Sequence, residues 1–218
     1  MSIALSLGNN LTTGGVFKAD AVNNTSCNNV TDFAGIAGDA TLVLLSTQTA
    51  SASANISFTT GIDSTYDEYV FKFINVHAST GAGLQFNGST DGGSNYNVTK
   101  TTTFFRAYHN EADDGASLDY ATGGDLAQST NFQGLMGTLG TNNDDSGCGT
   151  LHLFNPSNTT FVKHFISNTN IVESGPASYN TYVAGYMNTT SAINAIRFQM
   201  SSGNIDDGII KMYGLVKA

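Results

Sequence analysis

The end of the chain, residues 193–215, constrains the fold more than any other stretch. Ile193, Ala195, Phe198 and Met200 lead into Ser201-Ser202-Gly203-Asn204, and Ile209, Ile210, Met212, Tyr213 and Leu215 follow Asp206-Asp207-Gly208. Apolar residues recurring at every second position belong to a strand with one buried face. Two such runs around a Gly/Asn/Asp cluster read as a β-hairpin, because those residues tolerate the positive φ that a tight turn requires. A hairpin is marginal by itself in water, so this one needs a sheet to pack against.

Upstream, the same signal repeats from residue 41 onward. Leu42, Val43, Leu44 and Leu45 form a short apolar run, and Ile56 and Phe58 alternate with polar neighbours. In Gly61-Ile62-Asp63-Ser64-Thr65 the Asp and Ser can bond their own backbone, which makes a turn. The strongest strand covers residues 69–76. Tyr69, Phe71 and Phe73 lie on one face, and Val70, Ile74 and Val76 on the other, so it is expected to be central and covered on both sides. Leu84-Gln85-Phe86, residues 98–108, Leu151 to Phe154 (stopped by Asn155-Pro156), residues 161–166 and residues 179–187 complete eight to ten strands. Residues 110–140 carry many Gly and Asp with sparse apolar side chains, and are expected to hold the long loops.

Composition supports this. Only 11% of residues are charged, so the long charged side chains that build helix surfaces are scarce, while 13 Phe and 9 Tyr supply core bulk. The expected fold is all-β: an antiparallel two-sheet β-sandwich, jelly-roll-like, over residues 41–218. Residues 1–40, with Asn9-Asn10, Thr12-Thr13-Gly14-Gly15 and Asn23-Asn24 between short apolar patches, read as an irregular N-terminal arm or attachment segment.

The formal net charge is −9, and eight Lys and Arg cannot supply the basic face that phosphate binding needs, so a nucleic-acid partner is not expected. An anionic membrane surface is disfavoured for the same reason, and no apolar run approaches the length of a membrane span. The first residues lack a basic region followed by a long apolar one, which points to synthesis and folding in a cytoplasm. Cys27 and Cys148 are far apart in sequence, and inert thiols are the expectation ahead of a disulfide.

No constellation specifies chemistry. Asp113-Asp114-Gly115, Asp144-Asp145 and Asp206-Asp207-Gly208 lack the spacing that gathers oxygen ligands around one Ca²⁺, and read as turns. His77, His109, His152 and His164 are scattered, without the close pair a zinc site would need. No Gly-x-Ser-x-Gly elbow occurs, and Glu68, Glu111 and Glu173 suggest no opposed carboxylate pair. The expectation is a non-enzyme with no cofactor or metal. One segment has two readings: Phe104-Phe105-Arg106-Ala107-Tyr108-His109-Asn110-Glu111. Tyr108, His109 and Glu111 at a loop edge could grip a sugar or a partner chain. Alternatively, Arg106 and Glu111 simply pair while Phe104 fills the core.

Three stretches carry a resemblance. Ala54-Asn55-Ile56-Ser57-Phe58-Thr59-Thr60-Gly61-Ile62-Asp63-Ser64-Thr65-Tyr66-Asp67-Glu68-Tyr69 with Phe71-Lys72-Phe73 resembles virion structural proteins of bacteriophages, particularly marine and cyanobacterial ones. So do residues 104–111 and Leu151-His152-Leu153-Phe154-Asn155-Pro156-Ser157, and the ending around Gly208-Ile209-Ile210-Lys211-Met212-Tyr213 fits the same pattern. The likeness spans residues 42–215 and contains no catalytic motif. It implies a β-sandwich displayed on a phage particle as a capsid decoration or a tail fibre or tip module, assembled in the host bacterial cytoplasm. Other virion proteins would be its partners, together with further copies of itself, a trimer being favoured, and a host-surface glycan is a further candidate. The alternative is a carbohydrate-binding module without structural duty, against which the absence of Trp counts.

Overall fold

The strand Lys163–Glu173 shows most clearly how this chain builds a sheet. Lys163, Phe165, Ser167, Thr169 and Ile171 are buried, and the intervening His164, Ile166, Asn168, Asn170 and Val172 are exposed. The alternation continues for ten residues without a break, as a strand with one face on a core requires. The computed structural model describes residues 42–175 and 177–216, so the expected arm over residues 1–40 and Cys27 lie outside the described residues.

Twelve strands occur among the described residues. They are β1 (Leu42–Thr49), β2 (Ile56–Phe58), β3 (Glu68–Ala78), β4 (Leu84–Ser89), β5 (Lys100–Asn110), β6 (Ala116–Tyr120), β7 (Gln133–Gly134), β8 (Gly147–Phe154), β9 (Lys163–Glu173), β10 (Ala177–Met187), β11 (Ala195–Met200) and β12 (Ile205–Leu215). All pair antiparallel, in an eight-stranded sheet ordered β1-β12-β3-β8-β9-β10-β5-β6 and a four-stranded sheet ordered β2-β11-β4-β7. The two-sheet antiparallel sandwich expected from the alternation is therefore the fold. The strands beyond the expected eight to ten are β6 and β7, both inside the stretch read as loops. At five and two residues, they are too short for alternation to register.

The inner faces meet at a cluster of aromatic rings. Phe198 of β11 packs edge-on against Phe71 and Phe73 of β3, with centroids 5.3 and 5.2 Å away, and against Phe58 of β2 at 6.2 Å. Phe86 of β4 meets Phe165 of β9 at 4.9 Å, a second aromatic bridge between the sheets. Edge-to-face pairs of this kind add about 0.5–1.5 kcal/mol each to the area they bury.

Two sequence expectations are corrected. Residues 193–215 do not form a hairpin: β11 pairs with β2 and β4 in the small sheet, while β12 pairs with β1 and β3 in the large one. Residues 201–204 carry the chain across the sandwich. Both runs send side chains into the same core, Phe198 and Met200 from one and Ile210 and Met212 from the other. Alternation shows that a strand has a buried face, but not whether its neighbour in sequence lies beside it or opposite it.

The second correction concerns Val76, which does not share a face with Val70 and Ile74. Asn75 has φ 49°, and the register with β8 shifts between Phe73 and Val76, so a bulge returns Val76 to the buried face. The strand β3 does lie inside the large sheet, between β12 and β8, but Lys72 and Ile74 on its outer side remain half-buried. Cover is thus complete on the inner face only. The Asp63 turn forms as expected: the Thr65 amide donates to Asp63 Oδ1 at 2.8 Å, and the Tyr69 hydroxyl donates to the Asp63 carbonyl at 3.0 Å.

Candidate functional site

The small sheet seals one face of the large sheet and leaves the outer face to solvent. Register places the outward residues of different strands in rows. Phe105 lies opposite both Tyr120 and Tyr182, and Tyr182 is opposite Asn168. The Phe105 and Tyr182 rings stack with centroids 5.0 Å apart and planes 9° apart, yet both stay substantially exposed. Beside them the Asn180 amide donates to Asn168 Oδ1 at 2.9 Å, and the Asn170 amide donates to Ser178 Oγ at 2.9 Å. Tyr120 donates to the Asp125 carboxylate at 2.6 Å, which holds its phenol above the ordinary pKa.

This face carries a trough over β5, β9 and β10. One depression, of about 470 Å³, is floored by Ala184 and walled by Thr101, Thr103, Ile166, His164 and Tyr186. A second, of about 610 Å³, is lined by Phe154, Asn155, Asn158, Phe161, His164 and Thr190. His164 lines both, so they adjoin at its ring, which leans against Tyr186 with centroids 6.1 Å apart.

The trough exists because of local sequence choices. Ala184 is small where its outward neighbours on β10 are Tyr182 and Tyr186, so the sheet dips between two rings. Phe161 is 70% exposed, and its backbone is held at both ends. Its amide donates to Asn158 Oδ1 at 2.8 Å, and its carbonyl accepts from the Lys163 ammonium at 2.9 Å. That ammonium also donates to the Thr189 carbonyl at 3.2 Å, tying the loop before β9 to the loop after β10. Burial lowers the Lys163 pKa.

The residues singled out by sequence reasoning are divided by the fold. Tyr108 and His109 are adjacent on β5 and must point to opposite sides of the sheet. Tyr108 turns inward and packs edge-on against Tyr179 at 5.2 Å. His109 faces out, 3.1 Å from Asp113, and with Glu111 lines a depression of about 280 Å³ bordered by Asn170, Val172 and Ser178. Arg106 pairs with Asp119 at 3.1 Å rather than with Glu111, because β6 brings Asp119 directly opposite it. Arg106 also sits over the Tyr179 ring at 5.2 Å, and burial raises the Tyr179 pKa. Phe104 fills the core, as expected.

The acidic turns are also repositioned. Asp144, Asp145, Asp206 and Asp207 line one polar depression of about 440 Å³ with Asn75 and His77. Asp145 is committed to the Asn142 amide at 2.9 Å, and His77 lies 3.5 Å from Asp206. Among the described residues, no group of three or more His, Cys, Asp or Glu is arranged to hold a metal ion. His152 contacts Glu68 at 2.6 Å, and Cys148 is a free, exposed thiol.

Sequence reasoning missed the trough itself. Phe161 reads in the sequence as the first residue of a strand over residues 161–166, whereas β9 begins at Lys163 and leaves Phe161 in the loop before it; its partners Thr101, Phe154 and Tyr186 come from segments that only strand order joins. Comparisons with protein-family models, curated proteins and solved structures find no match to this chain.

Proposed function

We propose that this chain is a non-enzymatic bacteriophage virion component, a capsid decoration or a tail fibre or tip module, that displays its sandwich on the particle surface. The observation that carries the reading is the unequal pairing of sheets, which leaves one broad outer face of aromatic, amide and hydroxyl side chains on a rigid antiparallel scaffold. Contact residues presented from such a scaffold suit recognition. The resemblance of residues 42–215 to virion proteins gives the setting, and other virion proteins and further copies of the chain are its proposed partners.

Quantifying the chain in purified particles by mass spectrometry, with antibody labelling in electron micrographs, tests this. Many copies over the shell mean decoration, and a few at the tail mean an adhesin. Absence from particles defeats the proposal.

A second reading, a carbohydrate-binding module without structural duty, is favoured by one specific observation: the trough with exposed Phe161 and half-buried Tyr186 at its walls. Glycan binding by a protein absent from particles would support it.

A further inference from the structure

We infer that the trough centred on His164 is a binding site for a neutral oligosaccharide, with Phe161 as the ring on which one sugar stacks. The inference rests on the second reading above for its ligand class, and it holds whether or not the chain is carried on a particle.

Charge is the first argument. The chain carries a formal net charge of −9, yet neither depression is lined by any Asp, Glu, Lys or Arg. An acidic polysaccharide would find no cation in the trough and would approach against the net field of the protein. A cationic ligand would find no carboxylate. What remains is a ligand without charge.

The lining chemistry narrows this further. Phe161, Phe154 and Tyr186 offer apolar ring faces of the kind that cover the C–H face of a pyranose, while Thr101, Asn158 and His164 offer groups for its hydroxyls. Asn158 spends its carbonyl oxygen on the Thr160 and Phe161 amides, which leaves its NH₂ directed to other partners. Among the described residues, no hydrogen bond is recorded for the His164 ring nitrogens or the Tyr186 hydroxyl, so both can donate or accept. A purely apolar ligand would leave these groups unsatisfied, at a cost per buried group comparable to a lost hydrogen bond.

Pre-organisation is the third argument. The Phe161 backbone is bonded on both sides, through Asn158 and the buried Lys163, so little backbone ordering entropy remains to be lost when a sugar stacks on the ring, and only the side-chain rotamer is left to fix. Together the two depressions offer room for several sugar units rather than one.

The test uses the full chain on a printed array of cellohexaose, maltohexaose, laminarihexaose and chitohexaose beside hexagalacturonate and sialylated oligosaccharides. Calorimetric titration of the best neutral binder follows. Wild-type protein is expected to bind at least one neutral oligosaccharide and no acidic one. Phe161→Ala should weaken that binding by about tenfold, the loss of one stacking contact, while Phe161→Tyr retains it. Leu118→Ala, which removes an apolar side chain 74% exposed on β6 away from the trough, should leave it unchanged. Because the Phe161 side chain is exposed and its hydrogen bonds are made by the backbone, both variants at that position are expected to fold, checked by unfolding midpoint.

Folded wild-type protein that binds no neutral oligosaccharide overturns the inference, as does binding confined to acidic glycans or unaffected by Phe161→Ala. If wild type binds no glycan and Phe161→Ala instead lowers incorporation into particles, the trough is a protein interface. In that case the glycan inference fails while the virion proposal stands.

Discussion

Lys100 and Lys163 are the residues whose placement is least expected for their type. Both lie opposite Met187, on the strands flanking β10, and both side chains are buried. Each ammonium donates to the carbonyl two residues before it, Val98 at 2.9 Å for Lys100 and Phe161 at 2.9 Å for Lys163. No salt bridge is recorded for either lysine among the described residues, and burial alone lowers the Lys100 pKa to about 7. The sign follows from linkage: between that value and the ordinary 10.5 the unfolded chain binds more protons than the folded one, so stability rises with pH. Denaturant unfolding of wild type should therefore give a midpoint that climbs from pH 7 to pH 10. Lys100→Met should flatten that climb and raise stability at pH 7 by about 1–3 kcal/mol, the range seen when a buried charge is replaced by a packed apolar group. A wild-type profile that is flat or falls over this window would show that Lys100 is solvated in the folded state.

At the scale of elements, the irregularities decide as much as the regular strands. Asn75 and Gly208 face each other across β3 and β12, where the register slips by one residue on each side. Gly208 has φ 122°, and a Cβ there would lie 2.7 Å from the Val76 Cα, with backbone rather than a movable side chain in the way. Gly208→Ala should thus cost about 2–3 kcal/mol in equilibrium unfolding, whereas Gly92→Ala, with nothing within 4 Å, should cost clearly less. Equal losses at the two sites would remove the bulge from the account. The same region shows what was legible in the sequence. Strand existence and type were readable wherever alternation ran for five residues or more, as in β9 and β10. Pairing was not: the run ending at Met200 and the run beginning at Ile205 look like hairpin partners, because hydrophobic period records burial and carries no record of which sheet supplies the cover. The candidate site was hidden for a related reason. Tyr108 and His109 are adjacent on one strand and therefore point to opposite sides, so only His109 and Glu111 share a depression, while Thr101, Phe154, Phe161 and Tyr186 converge only through the order β8-β9-β10-β5.

For the whole molecule, the question is whether the two sheets behave as one cooperative body. The large sheet alone could persist if the small one merely rested on it. The geometry argues otherwise, because Phe198 of the small sheet touches Phe71 and Phe73 of the large one and is fully buried. Its removal would leave a cavity shared by both sheets. Phe198→Ala should lower stability by about 3–5 kcal/mol, the loss expected for a buried Phe, and the unfolding transition should stay single by far-UV circular dichroism and by tyrosine fluorescence. Phe161→Ala, the same chemical change at an exposed position, should move the midpoint by less than about 0.5 kcal/mol. Two resolved transitions in the Phe198 variant would mean that each sheet holds its own stability.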